Sequence, residues 1–187
     1  MTHLVEGFDL DSVTLDARAG AYTATAYLIT RGFRRVATIA GPQTRSGAIG
    51  KLEGYRQALV DHNMDARDEY VLYGDYTQES GAHLTSALLD LPEPPDAILV
   101  ANERMTMGLL RVVQDRGLWI PRDLGIVGFN DFEWPSLIVP PLSMVSQPIR
   151  ELGARAMRML LERVRGDYRG PARHVVLPTR LERRGSC

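Results

Sequence analysis

Residues 36–59 read VATIAGPQTRSGAIGKLEGYRQAL: a short β-prone run, a Gly-Pro turn, a Gly/Ser/Thr-rich loop, then a stretch in which Leu52, Tyr55 and Leu59 recur at i, i+3 and i+7. A continuous apolar run without alternation suits a strand buried on both faces, and the later spacing suits a helix that packs one stripe against it. The loop between them has the layout of a phosphate cradle, but the letters fail. A P-loop would need Gly where Arg45 stands and a hydroxyl where Leu52 stands, and G-x-G-x-x-G is broken because Gln43 follows Gly41 by two. A different ligand must be served by this strand end.

The same strand–helix alternation runs on in both directions. Strand candidates are Val36–Ala40, Tyr70–Tyr73, Asp96–Val100, Leu124–Phe129, Leu142–Ser146 and His174–Leu177. Leu152, Ala156, Met159 and Leu160 mark a later helix, and Gly32, Gly117 and Gly166 fall where helices should stop, with Pro121 just beyond one of them. Alternation of this kind implies right-handed βαβ crossovers and an α/β fold with a doubly wound parallel sheet of about six strands. Such sheets bind ligands beyond the carboxyl ends of their strands. Those ends open into GPQTRSGAIGK, GDYTQES, ANERM and NDFEWP, which carry amides, hydroxyls, carboxylates and one ring, Tyr76. An aromatic face beside polar groups suits a polar molecule with C–H faces, such as a sugar, although loop Asn and Asp also cap helices and close turns.

Composition narrows the classes. The 187 residues are 44% hydrophobic and 24% charged with net charge −1, which fits one globular core and lacks the basic balance of a nucleic-acid binder. From Arg150 onward ten Arg face four Asp/Glu, a local excess read as a solvated helix face and polar tail. MTHLVEGFDLDS has no signal-peptide layout and no window is apolar enough to span a bilayer, so a cytoplasmic location and no membrane partner are expected. The single Cys187 excludes a disulfide framework, and His3, His62, His83 and His174 show no metal-ligand spacing. With no nucleophile elbow either, no catalytic residue, metal or cofactor is expected, and the chain is read as a non-enzyme.

The order of motifs resembles the effector-binding core of the LacI/GalR family of bacterial sugar-responsive repressors, a periplasmic-binding-protein-like (type I) fold. The phrases that carry it are VTLDARAGAYTATAYLITRGFRRVATIAGP, KLEGYRQAL, ANERMTMGLLRVVQDRGLWIPRDLGIVGFND, PPLSMVSQPIRELG and LPTRLERRGS. The resemblance implies two similar lobes around a cleft, preceded by a helix-turn-helix and a hinge. Laid on that plan, residues 13–146 are the second, C-terminal lobe and 147–176 a segment of an otherwise missing first lobe. Residues 177–187 are a return strand and tail, and the helix-turn-helix and hinge are absent.

Four ligand-binding positions carry over: Lys51, four residues before the aromatic of Gly54-Tyr55; Tyr76, the stacking ring; Asn102, the amide of an Asn-Asp-type pair; and Asn130, first of an Asp-Asp-type pair. Two depart from the family's usual choice. Lys51 replaces an Arg fork in a chain whose other 21 basic residues are all Arg, and Asn130 replaces a carboxylate. The function implied is the sensing core of a sugar-responsive regulator, working as a homodimer and reaching operator DNA only through a missing N-terminal domain. Met105, Met107, Leu110, Val139, Pro140 and Pro141 mark the expected partner face. A sugar-binding protein of a transport system shares the fold and stands as the alternative, with a nucleotide- or phosphosugar-using α/β enzyme behind it.

Overall fold

The computed structural model describes residues 10–187; His3 and most of the acidic N-terminal stretch lie outside them. The elements run β1 (Ser12–Leu15), α1 (Ala17–Thr30), β2 (Val36–Ala40), α2 (Ser46–Asp61), β3 (Val71–Tyr73), α3 (Gln78–Leu89), β4 (Ala97–Val100), α4 (Glu103–Asp115), β5 (Gly125–Phe129), β6 (Ser143–Ser146), α5 (Ile149–Arg165), β7 (His174–Leu177) and β8 (Arg180–Glu182). Six strands form the main sheet in the order β3-β2-β4-β5-β6-β8, parallel except for β8, which pairs antiparallel with β6.

Apolar runs without alternation arise here because both faces of the sheet are covered. Val36, Ala97, Leu99, Val127 and Phe129 point into one core with Leu28, Leu52, Tyr55 and Leu59 from α1 and α2. Ala37, Ile39, Ile98, Val100 and Ile126 point into the other with Leu88, Met105 and Leu109 from α3 and α4. Each large aliphatic side chain so buried contributes about 1.5–3 kcal/mol, and the period of two divides one strand between two cores. Gly32, Gly117 and Gly166 all have positive φ, of 103°, 66° and 79°, at the helix ends where sequence placed them.

The membership of the sheet differs from expectation at its edge. His174–Leu177 is a strand, but it pairs in parallel with β1 in a separate two-stranded sheet, from Ser12 against His174 to Leu15 against Leu177. The sixth strand of the main sheet is the three-residue β8. Leu152 and Met159 of α5 bury against Val13 and Leu177 of this small sheet. Of the expected α5 stripe Ala156 also packs there in part, but Leu160 is 55% exposed, and Ile149 and Val164 on the same helix are 53% and 74% exposed. A helix that bares this much apolar surface has a core on one side only.

The residues after β8 are stitched into the main sheet. Ser186 accepts from the Ser143 amide at 2.8 Å and donates to the Ile126 carbonyl at 2.6 Å, both through its buried hydroxyl. Cys187 lies beside it, and burial pushes its thiol pKa up, as suits an inert packing group.

Candidate ligand site

At the carboxyl ends of the parallel strands lies a cavity of about 370 Å³ lined by Leu15, Ala17, Gly47, Lys51, Tyr76, Asn102, Arg104, Asn130 and Gln147. All four residues singled out from sequence are in that wall, each on the segment that follows a different strand: β2, β3, β4 and β5. A volume of this size falls in the range of small-molecule pockets. No described group of three or more His, Cys, Asp or Glu could hold a metal ion.

Lys51 sits one turn into α2. Its ammonium donates to the Ala101 carbonyl at 2.6 Å and stands over the Phe129 ring at 4.2 Å from the centroid. Although the residue as a whole is only partly buried, its charged end is enclosed, and loss of water holds its pKa near 8. Among the described residues no carboxylate pairs with it. Two of its three N–H donors are thus left for a ligand.

Tyr76 occupies the left-handed region at φ 72°, and its ring lies on the backbone of Gly41. A Cβ at position 41 would sit inside that ring, so Gly41, the first glycine of the false phosphate loop, is required for close approach of the aromatic rather than for an anion cradle. Burial also raises the phenol pKa. Asn102 is the N-cap of α4: its Oδ1 accepts from the Met105 amide at 3.0 Å while its Nδ2 donates to the Tyr76 carbonyl at 3.2 Å. The capping reading and the ligand reading therefore hold together, because one side chain fixes both the helix start and the loop that carries the ring.

Asn130 has φ 72° as well, a conformation that short polar side chains tolerate, and its amide N–H donates to the Val145 carbonyl at 3.0 Å. Its side chain makes no hydrogen bond among the described residues, and so remains available in the wall. The adjacent Asp131 is turned away into a bidentate pair with Arg184, at 2.9 and 2.7 Å, which fixes the tail to this loop. Sequence reasoning did not name Leu15, Ala17, Gly47, Arg104 or Gln147. Arg104 stands two residues after Asn102, where a helix start that exposes one residue exposes its neighbour. Leu15 and Gln147 end strands that leave for, or return from, the small sheet, a position that strand ends alone do not reveal.

Known proteins resemble this chain along most of its length. Residues 25–187 match the periplasmic binding protein-like domain model. The HTH-type transcriptional regulator CelR of Thermobifida fusca is 37% identical over 169 residues, which cover 90% of this chain and 49% of that protein. The HTH-type transcriptional repressor CytR of Escherichia coli (strain K12) is 35% identical over 162 residues, covering 87% and 48%. The solved structure of the CelR–cellobiose complex superimposes with a TM-score of 0.90 at 36% identity, over 96% of this chain and 54% of that one. A LacI-family regulatory protein from Chloroflexus aggregans gives 0.89 at 35%, over 97% and 65%. The chain thus spans about half the length of the curated relatives it matches. With this fold, this cavity and these matches, the chain belongs to the periplasmic binding protein-like family, in the form that makes up the effector-binding region of LacI-family transcriptional regulators.

Proposed function

We propose that this chain is the effector-sensing and dimerisation core of a sugar-responsive LacI-type regulator, with Lys51, Tyr76, Asn102 and Asn130 as its ligand contacts. The observation that carries the reading is the convergence of all four on one cavity at the carboxyl edge of the sheet. The relative solved with cellobiose supports a sugar as the class of effector. The main sheet with its four flanking helices, α1 to α4, is the second lobe; β1, α5 and β7 belong to the first, and the boundary lies near Asp16 because β1 pairs with β7. Operator DNA is reached through a further domain of the kind the relatives' names describe.

Self-association uses the outer side of α4 and the segment before β6. Val139 is 97% exposed and Trp119 66%, and with Leu110 and Ile138 they border an apolar groove, beside which Leu137 is 72% exposed. Met105 is not part of this face: it is fully buried in the core beneath α4, so the sequence expectation is corrected there. An apolar surface of this kind suits a second copy of the chain.

The test is calorimetric titration of the 187-residue chain with a sugar panel. Millimolar affinity is expected, since of the small sheet and α5 only Leu15 lines the cavity, and Tyr76→Ala should weaken binding about tenfold by loss of stacking. Binding that is indifferent to Tyr76 and Asn130 would place the effector elsewhere. Light scattering that shows a monomer at about 100 μM would exclude the dimer.

A further inference from the structure

The charges in the cavity wall do not balance. Lys51 and Arg104 both line it, neither makes an ion pair among the described residues, and no Asp or Glu is in the wall. The nearest acids in sequence are already engaged. Glu103 accepts from the Trp134 indole at 2.8 Å, Asp131 is held by Arg184, and Asp16 accepts from the Ala19 amide at 2.9 Å as the cap of α1. Helix α2 adds to the imbalance: it begins at Ser46, next to the lining residue Gly47, with no side-chain cap and no acid in its first turn, so the positive end of its dipole faces the site uncompensated.

We propose that the effector of this protein is an anion: a sugar-sized ring or chain of hydroxyls that carries a carboxylate or phosphate, with the oxyanion placed between Lys51 and Arg104. This rests on the reading of the cavity as the effector site and names the ligand class within it. A neutral sugar would leave an enclosed ammonium without a counter-charge, the arrangement that burial penalises most. An oxyanion supplies that charge, takes the two free N–H donors of Lys51, and accepts the planar fork of Arg104. Asn130 completes the pattern. As an amide it donates to an anion, whereas a carboxylate at its place would repel one. Tyr76, half-buried and without charge, then covers the apolar face of the same molecule.

The experiment is equilibrium titration of this chain, by ligand-observed NMR, with glucose, glucuronate and glucose 6-phosphate, the corresponding galactose series, and inorganic phosphate alone. At least one anionic member should bind about tenfold or more tightly than its neutral parent, with affinity falling as salt rises. Comparison of uronate with 6-phosphate identifies which oxyanion is read, and phosphate alone should bind more weakly than either, because it lacks the ring. Asn130→Asp and Lys51→Gln should each weaken binding of the anionic member about tenfold or more, and by a larger factor than they weaken binding of its neutral parent. Neutral sugars that bind as well as or better than the anions, with binding lost in Tyr76→Ala, would overturn the anionic effector and leave the cavity assignment standing. Absence of binding by every compound, or binding unaffected by Tyr76→Ala, would overturn both.

Discussion

Lys51 carries its charge where water is largely excluded, and this makes stability depend on pH in a definite direction. Its pKa lies near 8 in the folded chain, against an ordinary value of 10.5. Below about pH 8 both states hold the proton and the burial cost is fully present. Between about 8 and 10.5 the unfolded chain keeps its proton while the folded chain has released it, so stability rises with pH across that window. Urea unfolding without ligand should therefore show a larger midpoint at pH 9.5 than at pH 7.5 by an increment absent from Lys51→Met. A second expectation concerns Gly41, where a methyl group would occupy the place of the Tyr76 ring. Gly41→Ala should displace the ring, weaken effector binding about tenfold and leave the fold intact, as read by circular dichroism. The convergence of Lys51, Tyr76, Asn102 and Asn130 was legible in sequence because strand ends of a parallel sheet share one edge. The enclosure of Lys51 was not, since the Ala101 carbonyl just after β4 and the Phe129 ring at the end of β5, which surround its ammonium, are about fifty and eighty residues away.

Helix α1 and helix α2 pack closely at Gly54. A Cβ there would meet the Arg18 carbonyl oxygen and lie 2.9 Å from the Tyr22 amide nitrogen. Alanine improves helix propensity by about 1 kcal/mol, but separating the helices costs more, and Gly54→Ala should lower stability by about 2–3 kcal/mol. Thermal unfolding should shift down by roughly 5–10 °C. On the other side of the molecule Asp11 ties the start of β1 to Arg163 of α5 and to Arg173 before β7, at 2.7 and 2.8 Å. The two guanidinium groups hold its carboxyl well below the usual range, so this contribution is present at neutral pH and is lost as the solution is acidified below about 4. Asp11→Asn should destabilise the small sheet by about 1–3 kcal/mol, seen as faster amide exchange in β1 and β7 with little change in β2 or β4. Two-sided strands such as β2, β4 and β5 announced themselves by continuous apolar runs, buried at every position. Edge strands did not: β1 and β8 have four and three residues with mixed exposure, and neither makes a continuous apolar run. His174–Leu177 was visible as a strand, yet its partner was not, because parallel pairing over such a separation leaves no local signal.

The molecule has two unequal parts, a six-stranded sheet covered on both faces and a two-stranded sheet with one helix. The chain passes between them three times, after β1, after β6 and after β7, and Leu15 and Gln147 at two of those passages line the ligand cavity. That the chain would form a doubly wound sheet with an attached fragment of a second lobe could be read from motif order, since alternation fixes the class of fold. Which strands closed the small sheet depended on contacts between the two ends of the chain.

Those contacts set a timetable for synthesis. Ser12 and His174 are hydrogen-bonded at a separation of 162 residues. At about 5–20 residues per second, a ribosome that has released β1 needs roughly 8–30 s more before β7 can reach it. During that interval β1 travels with an unpaired edge, while β2 to β6 can already assemble behind it. Nascent chains stalled so that residue 150 has just left the exit tunnel should show protease protection over α1 to β6, and β1 should stay cleavable until His174–Leu177 emerges. Protection of β1 before that point would mean that it has a partner other than β7.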